Sequence, residues 1–359
     1  GMEIAEAMSL GVKRVWPDVE TILIPVADGG DGTLQALVDS SGGEVRTATV
    51  QDAIGRPIKA EWGALGNGTT AVIEVANAVG LARLSSEERD VRNASTFGIG
   101  QLVTEALNAG FSHFIIGVGG SATNDGGAGM IQAMGGRLSD KNGKELPRGG
   151  IALANLTTID ISDMDSRILD AEIVVACDVN NPLCGPRGAS AIFGPQKGAT
   201  FQDVQDLDAA LANFAEVIAN DLHNDVAEIP GAGASGGLGA GLMGFFDARL
   251  RLGADIVLEA VSIEDHLVDA ELVIVGEGQF DRSTVFNKSP VAVAQRAKKH
   301  GIPVIGIAGS LGAGFSEVHQ HGIDAVFSLV NRPMSLKAAM EDTKRLVTIA
   351  TEEACRAIA

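Results

Sequence analysis

An α/β architecture built on parallel strands is what this sequence predicts, and three observations carry that reading. Residues 272–275, 303–308 and 325–329 are near-continuous apolar runs, the pattern of parallel strands buried on both faces. Helical periodicity over 290–300 and 336–358 separates or follows them, and such sustained alternation belongs to doubly wound sheets. Between residues 44 and 75 the character changes to short β-rich runs punctuated by Gly55, Pro57, Gly63 and Asn67-Gly68, which reads as antiparallel hairpins.

Taken in order, the chain opens on a helix over 2–16, with Ile4, Met8, Val12 and Val15 at helical spacing and Pro17-Asp18 as its stop. Residues 21–26 form a β-rich run leading into the glycine-rich turn DGGDGT and a helix through Leu34, Leu37 and Val38. The hairpins follow, then a helix over 98–109 and a strand over 113–118 that enters GGSATNDGG and another helix. Turn signals fill 136–170, a strand covers 172–177, and a long helix over 203–222 precedes a Pro-Gly-Ala-Gly loop. Because the hairpins interrupt the alternation, we expect a discontinuous α/β lobe (1–43, 92–130 and 262–359) with an inserted mixed α/β lobe (44–91 and 131–261) and ligands in the cleft between them.

At 359 residues and 45% hydrophobic content the chain is long enough for two well-packed domains. A net charge of −19 argues against nucleic acid, whose binders need a basic face to release counterions. No apolar run approaches the ~20 residues that span a bilayer, so no membrane role is expected. Three cysteines without CxxC spacing fit a reducing cytoplasm, and Cys177 reads as a buried strand thiol. The six histidines fall outside the motifs, which weakens any zinc or Ser-His-Asp hydrolase reading.

Five glycine-rich segments carry the chemistry: 28–33, 119–127, 193–199, 231–241 and 276–281. Glycine lets an anion approach main-chain N–H groups, while neighbouring carboxylates suit a divalent cation bridging phosphate to protein. Mg-nucleotide chemistry follows as the first reading. In DGGDGT, Asp28 stands where catalytic groups collect, beside Gly29 and Gly30, and Asp31 either serves the site or caps the following helix. Gly119, Gly120, Ser121, Thr123, Asn124 and Asp125 offer hydroxyl, amide and carboxylate groups for a hydroxy acid or phosphate oxygens. Asp178 follows its strand as either a base toward a substrate hydroxyl or a metal ligand. Lys197 is placed to neutralise a transferring phosphoryl group, with a plain surface charge as the alternative for it and for Lys288. Gly233, Gly236 and Gly237 lie in a run that lacks the Gly-Lys-Ser/Thr ending of a P-loop, so helix packing competes with phosphate binding there. Glu277 and Asp281, with Lys288 beyond them, suggest metal and phosphate once more.

PVADGGDGT, IGVGGSATNDGG, ACDVNNPLCGPRGAS, FGPQKGA, PGAGASGGLGAG and VGEGQFD, in this order, resemble the bacterial glycerate kinases of the glyoxylate/glycerate type. The resemblance runs from near Met2 to the last helix. It implies a flavodoxin-like lobe with a second lobe inserted, and transfer of the γ-phosphoryl of ATP to D-glycerate with Mg²⁺, 2-phosphoglycerate being the favoured product. On that reading Asp178 or Asp28 stands near the glycerate hydroxyl, Glu277 and Asp281 near the metal, Lys197 and Lys288 on phosphate, and residues 121–125 on the substrate. Monomer and homodimer both remain open. Relatives begin with a strand and a Pro-Asp-Ser-Phe-Lys type loop ahead of the first helix, and they more often carry Arg, Gln and Gly where this chain has Gln279, Ser283 and Asn287. A chain starting Gly1-Met2 at that helix is therefore expected to be weakly active or inactive. A binding protein that lost catalysis, or a kinase for another small hydroxy acid, are the alternatives; turnover and a substrate panel separate them.

Overall fold

Parallel strand pairing organises most of the chain, as its long apolar runs require. The structure, a computed structural model, describes residues 1–26, 32–285 and 288–359. The chain divides into two units, one of Gly1–Asp28 with Ala254–Ala359 and one of Gly29–Gly253.

In the larger unit the strands are β1 (Glu44–Gln51), β2 (Pro57–Ala64), β3 (Thr70–Glu74), β4 (His113–Gly117), β5 (Arg137–Ser139), β6 (Thr158–Asp160), β7 (Glu172–Ala176) and β8 (Arg249–Arg251). Strands β5 and β6 form a small antiparallel pair, and the other six make one sheet in the order β1-β2-β3-β4-β7-β8. β1 with β2, and β2 with β3, are antiparallel, so the expected hairpins form. From β3 onward the pairing is parallel, with Ala71 opposite Phe114 and Phe114 opposite Ile173.

The hairpins thus share a sheet with residues 113–117, which the sequence reading assigned to the other lobe. The chain divides near residues 28 and 253, not at 43, 91, 130 and 261. Burial on both faces supplies the reason. In β3 Ala71, Val72 and Ile73 are buried on both faces, and in β4 and β7 Phe114, Ile116, Ile173 and Val175 are buried on one face with Ile115 and Val174 half-buried on the other, so these strands need sheet neighbours as well as helices above and below. Helices Phe97–Asn108, Phe201–Leu222 and Ala234–Phe246 contribute Ile99, Leu102, Leu211, Phe214 and Leu238 to the same core.

The smaller unit carries β9 (Val273–Phe280), β10 (Val304–Leu311) and β11 (Ala325–Ser328), all parallel in the order β11-β10-β9. Helices Met2–Val15 and Thr343–Arg356 meet where the Thr348 hydroxyl donates to the Ala7 carbonyl at 3.1 Å. Ala7 and Met8 share a core with Ile305, Ile307, Leu346 and Val347.

Three local expectations change. Residues 21–26 form no strand: Pro25 has no N–H to give a ladder, while Ile24 and Val26 pack on the core. Glu277 lies within β9, not after it, because β10 continues alongside and keeps Glu277 opposite Ala308 and Gln279 opposite Ser310. The last helix breaks at Asp342 into Leu336–Glu341 and Thr343–Arg356.

Candidate active site at the strand ends

Ligands of open parallel sheets bind beyond the carboxyl ends of the strands. In the larger unit β3 ends at Glu74, opposite Gly117 of β4, which itself lies opposite Ala176 of β7. Three neighbouring strand ends therefore release, on one edge, Glu74, the 119–127 loop and Asp178. Glu74 Oε1 accepts the Leu34 N–H at 2.8 Å, tying down the first turn of helix Thr33–Ser41. Sequence reasoning missed this glutamate; its signal was a lone carboxylate closing the apolar run Thr70–Glu74. Asp28, Gly29 and Gly30, which precede that helix, lie outside the described residues. Asp178 is exposed, and its Oδ1 accepts the Gly253 N–H at 3.0 Å.

The 119–127 loop begins in solvent and ends in the core. Gly119 and Gly120 are exposed, whereas residues 121–127 are buried. Asp125 is completely buried, and its carboxylate accepts from Thr96 N (2.8 Å), Thr96 Oγ1 (2.9 Å), Gly129 N (3.2 Å) and Gly127 N (3.3 Å). Burial pushes the Asp125 carboxyl above its ordinary range while these hydrogen bonds pull it back. Asn124 Nδ2 donates to Ser190 Oγ at 3.0 Å, whereas Asn124 Oδ1 and Thr123 Oγ1 are buried without a partner among the described residues. Thr96 and Ser190 were not foreseen. Thr96 stands immediately before the helical run Phe97–Asn108, the ordinary place of a capping hydroxyl, and that was its legible signal.

Lys197 closes a short turn, Pro195–Lys197, and is 2% exposed. Its Nζ donates to the Thr123 carbonyl at 2.6 Å and to Ser121 Oγ at 3.1 Å. The sequence reading gave this lysine to a transferring phosphoryl group, but here its ammonium is taken up inside the loop. Burial pushes its pKa from the ordinary 10.5 down to about 7, with the Asp125 charge pulling the other way. Between those two values the unfolded chain binds a proton that the folded chain does not, so stability rises with pH across that window. Urea midpoints taken from pH 7 to 9 should show wild type gaining on a Lys197→Met variant; a constant gap would mean the ammonium carries no burial cost.

Gly233, Gly236 and Gly237 are buried at the start of helix Ala234–Phe246, where Ser235, Gly236 and Gly237 all adopt positive φ. The Gly236 carbonyl accepts the Gly126 N–H at 3.0 Å, so this kink clamps the 119–127 loop from behind. Close packing accounts for glycine at these positions.

Glu277, Asp281 and Lys288 belong to the smaller unit. Asp281 Oδ1 accepts from Ser283 N (2.7 Å) and Ser283 Oγ (2.6 Å); these bonds, with Lys288 nearby, hold its carboxyl below the ordinary range. Lys288 directly precedes helix Ser289–Lys299. Among the described residues no three Asp, Glu, His or Cys side chains converge as a metal site. Asp281, just beyond the end of β9, and Glu277, inside that strand, are carboxylates of the kind that hold magnesium, which commonly takes one or two of them plus phosphate oxygens and water. No helix among the described residues is long and apolar enough to cross a membrane.

Strand ends, glycine loop and buried polar network belong to an open α/β protein of the kind that binds small molecules beyond its strand ends, and comparison with known proteins narrows it. The model of the glycerate kinase family matches residues 1–359. A glycerate kinase of Halalkalibacterium halodurans is 48% identical over 358 residues, covering 100% of this chain and 93% of that protein. The glycerate 2-kinase of Escherichia coli is 48% identical over 328 residues, 91% of this chain and 86% of its own length. A crystal structure assigned as glycerate kinase 2 from Salmonella typhimurium LT2 superposes with a TM-score of 0.89 at 45% identity, covering 99% of this chain and 93% of that one. The chain belongs to the glycerate kinase family.

Proposed function

We propose that this protein transfers the γ-phosphoryl group of ATP to the 2-hydroxyl of D-glycerate with Mg²⁺. The 48% identity over 358 residues to a glycerate kinase carries this reading, and the name of the Escherichia coli relative, glycerate 2-kinase, favours the 2-hydroxyl. Phosphoryl transfer asks little covalent work of a protein, so these residues would act by positioning and by neutralising charge. Residues 121–125 would hold the hydroxy acid. Asp178 would accept the hydroxyl proton, its exposure and strand-end position suiting that task. Magnesium, when bound, would neutralise charge on the phosphate oxygens, with Glu277 and Asp281 as its protein ligands. Lys288 and the Ser289 N–H at the start of helix Ser289–Lys299 would take a phosphate, as helix N-termini favour anions.

The test is ATP turnover on D-glycerate, with the product handed directly to enolase, which consumes 2-phosphoglycerate but not the 3-isomer. Chelation of divalent cations should abolish turnover. Consumption by enolase only after a phosphoglycerate mutase is added would overturn the regiochemistry; silence with D-glycerate would overturn the substrate. Asp178→Asn keeps an acceptor for the Gly253 N–H and removes the base, so kcat should fall about 10²–10⁴-fold with an unchanged thermal midpoint.

A further inference from the structure

We propose that Lys197 reaches the ligand only through Ser121, its ammonium committing the Ser121 hydroxyl to donate its one proton to an anionic oxygen of the bound ligand. This rests on the kinase reading above. A protonated lysine has three protons and no lone pair, so in the 3.1 Å contact Ser121 Oγ must be the acceptor. The serine's own proton is then left for another group, and nothing among the described residues accepts it. Its place is fixed from both sides. Gly120 O accepts the Leu81 N–H and Ala122 N donates to Val79 O, each at 2.8 Å, while Ser121 pairs with Gly80 in an isolated bridge. Lys197 Nζ also grips the Thr123 carbonyl at 2.6 Å, so the lysine holds the loop at two points. Immediately before Ser121 the exposed Gly119 and Gly120 open the loop to solvent, so a ligand oxygen can approach from that end. Carboxylate and phosphoryl oxygens share the required chemistry.

Ser121→Ala, Lys197→Met, the double variant and Ser121→Thr, assayed at pH 6, test this. Each of the first two should lower kcat/KM by about 10–100-fold, the worth of a charge-assisted hydrogen bond. The double variant should be no worse than the more damaged of the two single variants, since Lys197→Met also releases the Thr123 carbonyl, and Ser121→Thr should recover most of the loss. Losses that multiply in the double variant would show an independent lysine contact and overturn the proposal. Should Lys197→Met fail to fold, the two serine variants decide, and unchanged kinetics in Ser121→Ala would sink it. A rise confined to the KM for D-glycerate identifies the acceptor as carboxylate, and one confined to ATP identifies it as phosphoryl. Wild type silent on D-glycerate would remove the kinase reading alone. The affinities of wild type and the four variants for D-glycerate and for ATP, by calorimetry, would then carry the same comparison.

Discussion

Gly236→Ala is expected to lower the stability of the protein by about 3–5 kcal/mol and to abolish turnover. Two costs combine at this position. The backbone sits at φ +71, which any side chain resists by about 1–2 kcal/mol. An added methyl would also lie 2.1 Å from the Thr123 carbonyl oxygen and 2.6 Å from Asn124 Cα, so backbone, not a side-chain tip, must move. That movement would pull apart the hydrogen bond from Gly126 N to the Gly236 carbonyl and shift Ser121–Asp125 together. Gly143→Ala separates the costs, since its φ is +73 but no atom lies within 4 Å of the added methyl. Urea denaturation should give about 1 kcal/mol for Gly143→Ala. Equal losses for the two variants would show that the contact with Thr123 is not tight.

The second large effect falls on Asp125. Asp125→Ala removes the acceptor for three backbone N–H groups and the Thr96 hydroxyl, all in the core, and a buried donor left unpaired costs roughly 1–3 kcal/mol. A loss of about 3–6 kcal/mol is expected. It also removes the charge that faces the Lys197 ammonium. Asp125→Asn should be milder. An amide oxygen in place of Oδ2 keeps Thr96 N, Thr96 Oγ1 and Gly129 N satisfied, and only Gly127 N then meets an NH₂ group. Thermal unfolding should therefore rank wild type above Asp125→Asn and Asp125→Asn well above Asp125→Ala. If the two variants are equally damaged, the negative charge outweighs the hydrogen-bond geometry as the reason for a carboxylate here.

Both predictions fall on residues that the sequence singled out, for reasons it did not contain. Ser121, Thr123, Asn124 and Asp125 were legible as a polar cluster among glycines. Which of them turns inward was not legible, because that depends on Thr96, Ser190 and Lys197, which lie 29, 66 and 74–76 residues away in sequence. Lys197 shows the limit most clearly. A lysine between glycines reads as a phosphate contact, yet its long apolar stem lets it reach from a separate turn into the loop's interior. Glu74 escaped notice because its partner, the Leu34 N–H, belongs to a helix 40 residues upstream.

By itself the sequence determined most of the element types, the parallel pairing of the strands at 273–280, 304–311 and 325–328 and, through six motifs in order, the family. These are local or additive properties. Periodicity decides whether a segment buries one face or two, and motif order survives without reference to space. Only the tertiary structure decided that β3 continues the sheet of β4 and β7, that the chain divides near residues 28 and 253, and that Glu277 lies inside a strand. Those outcomes depend on which strand lies alongside which, and a strand's neighbour is fixed by the packing of distant apolar faces, which no local pattern records.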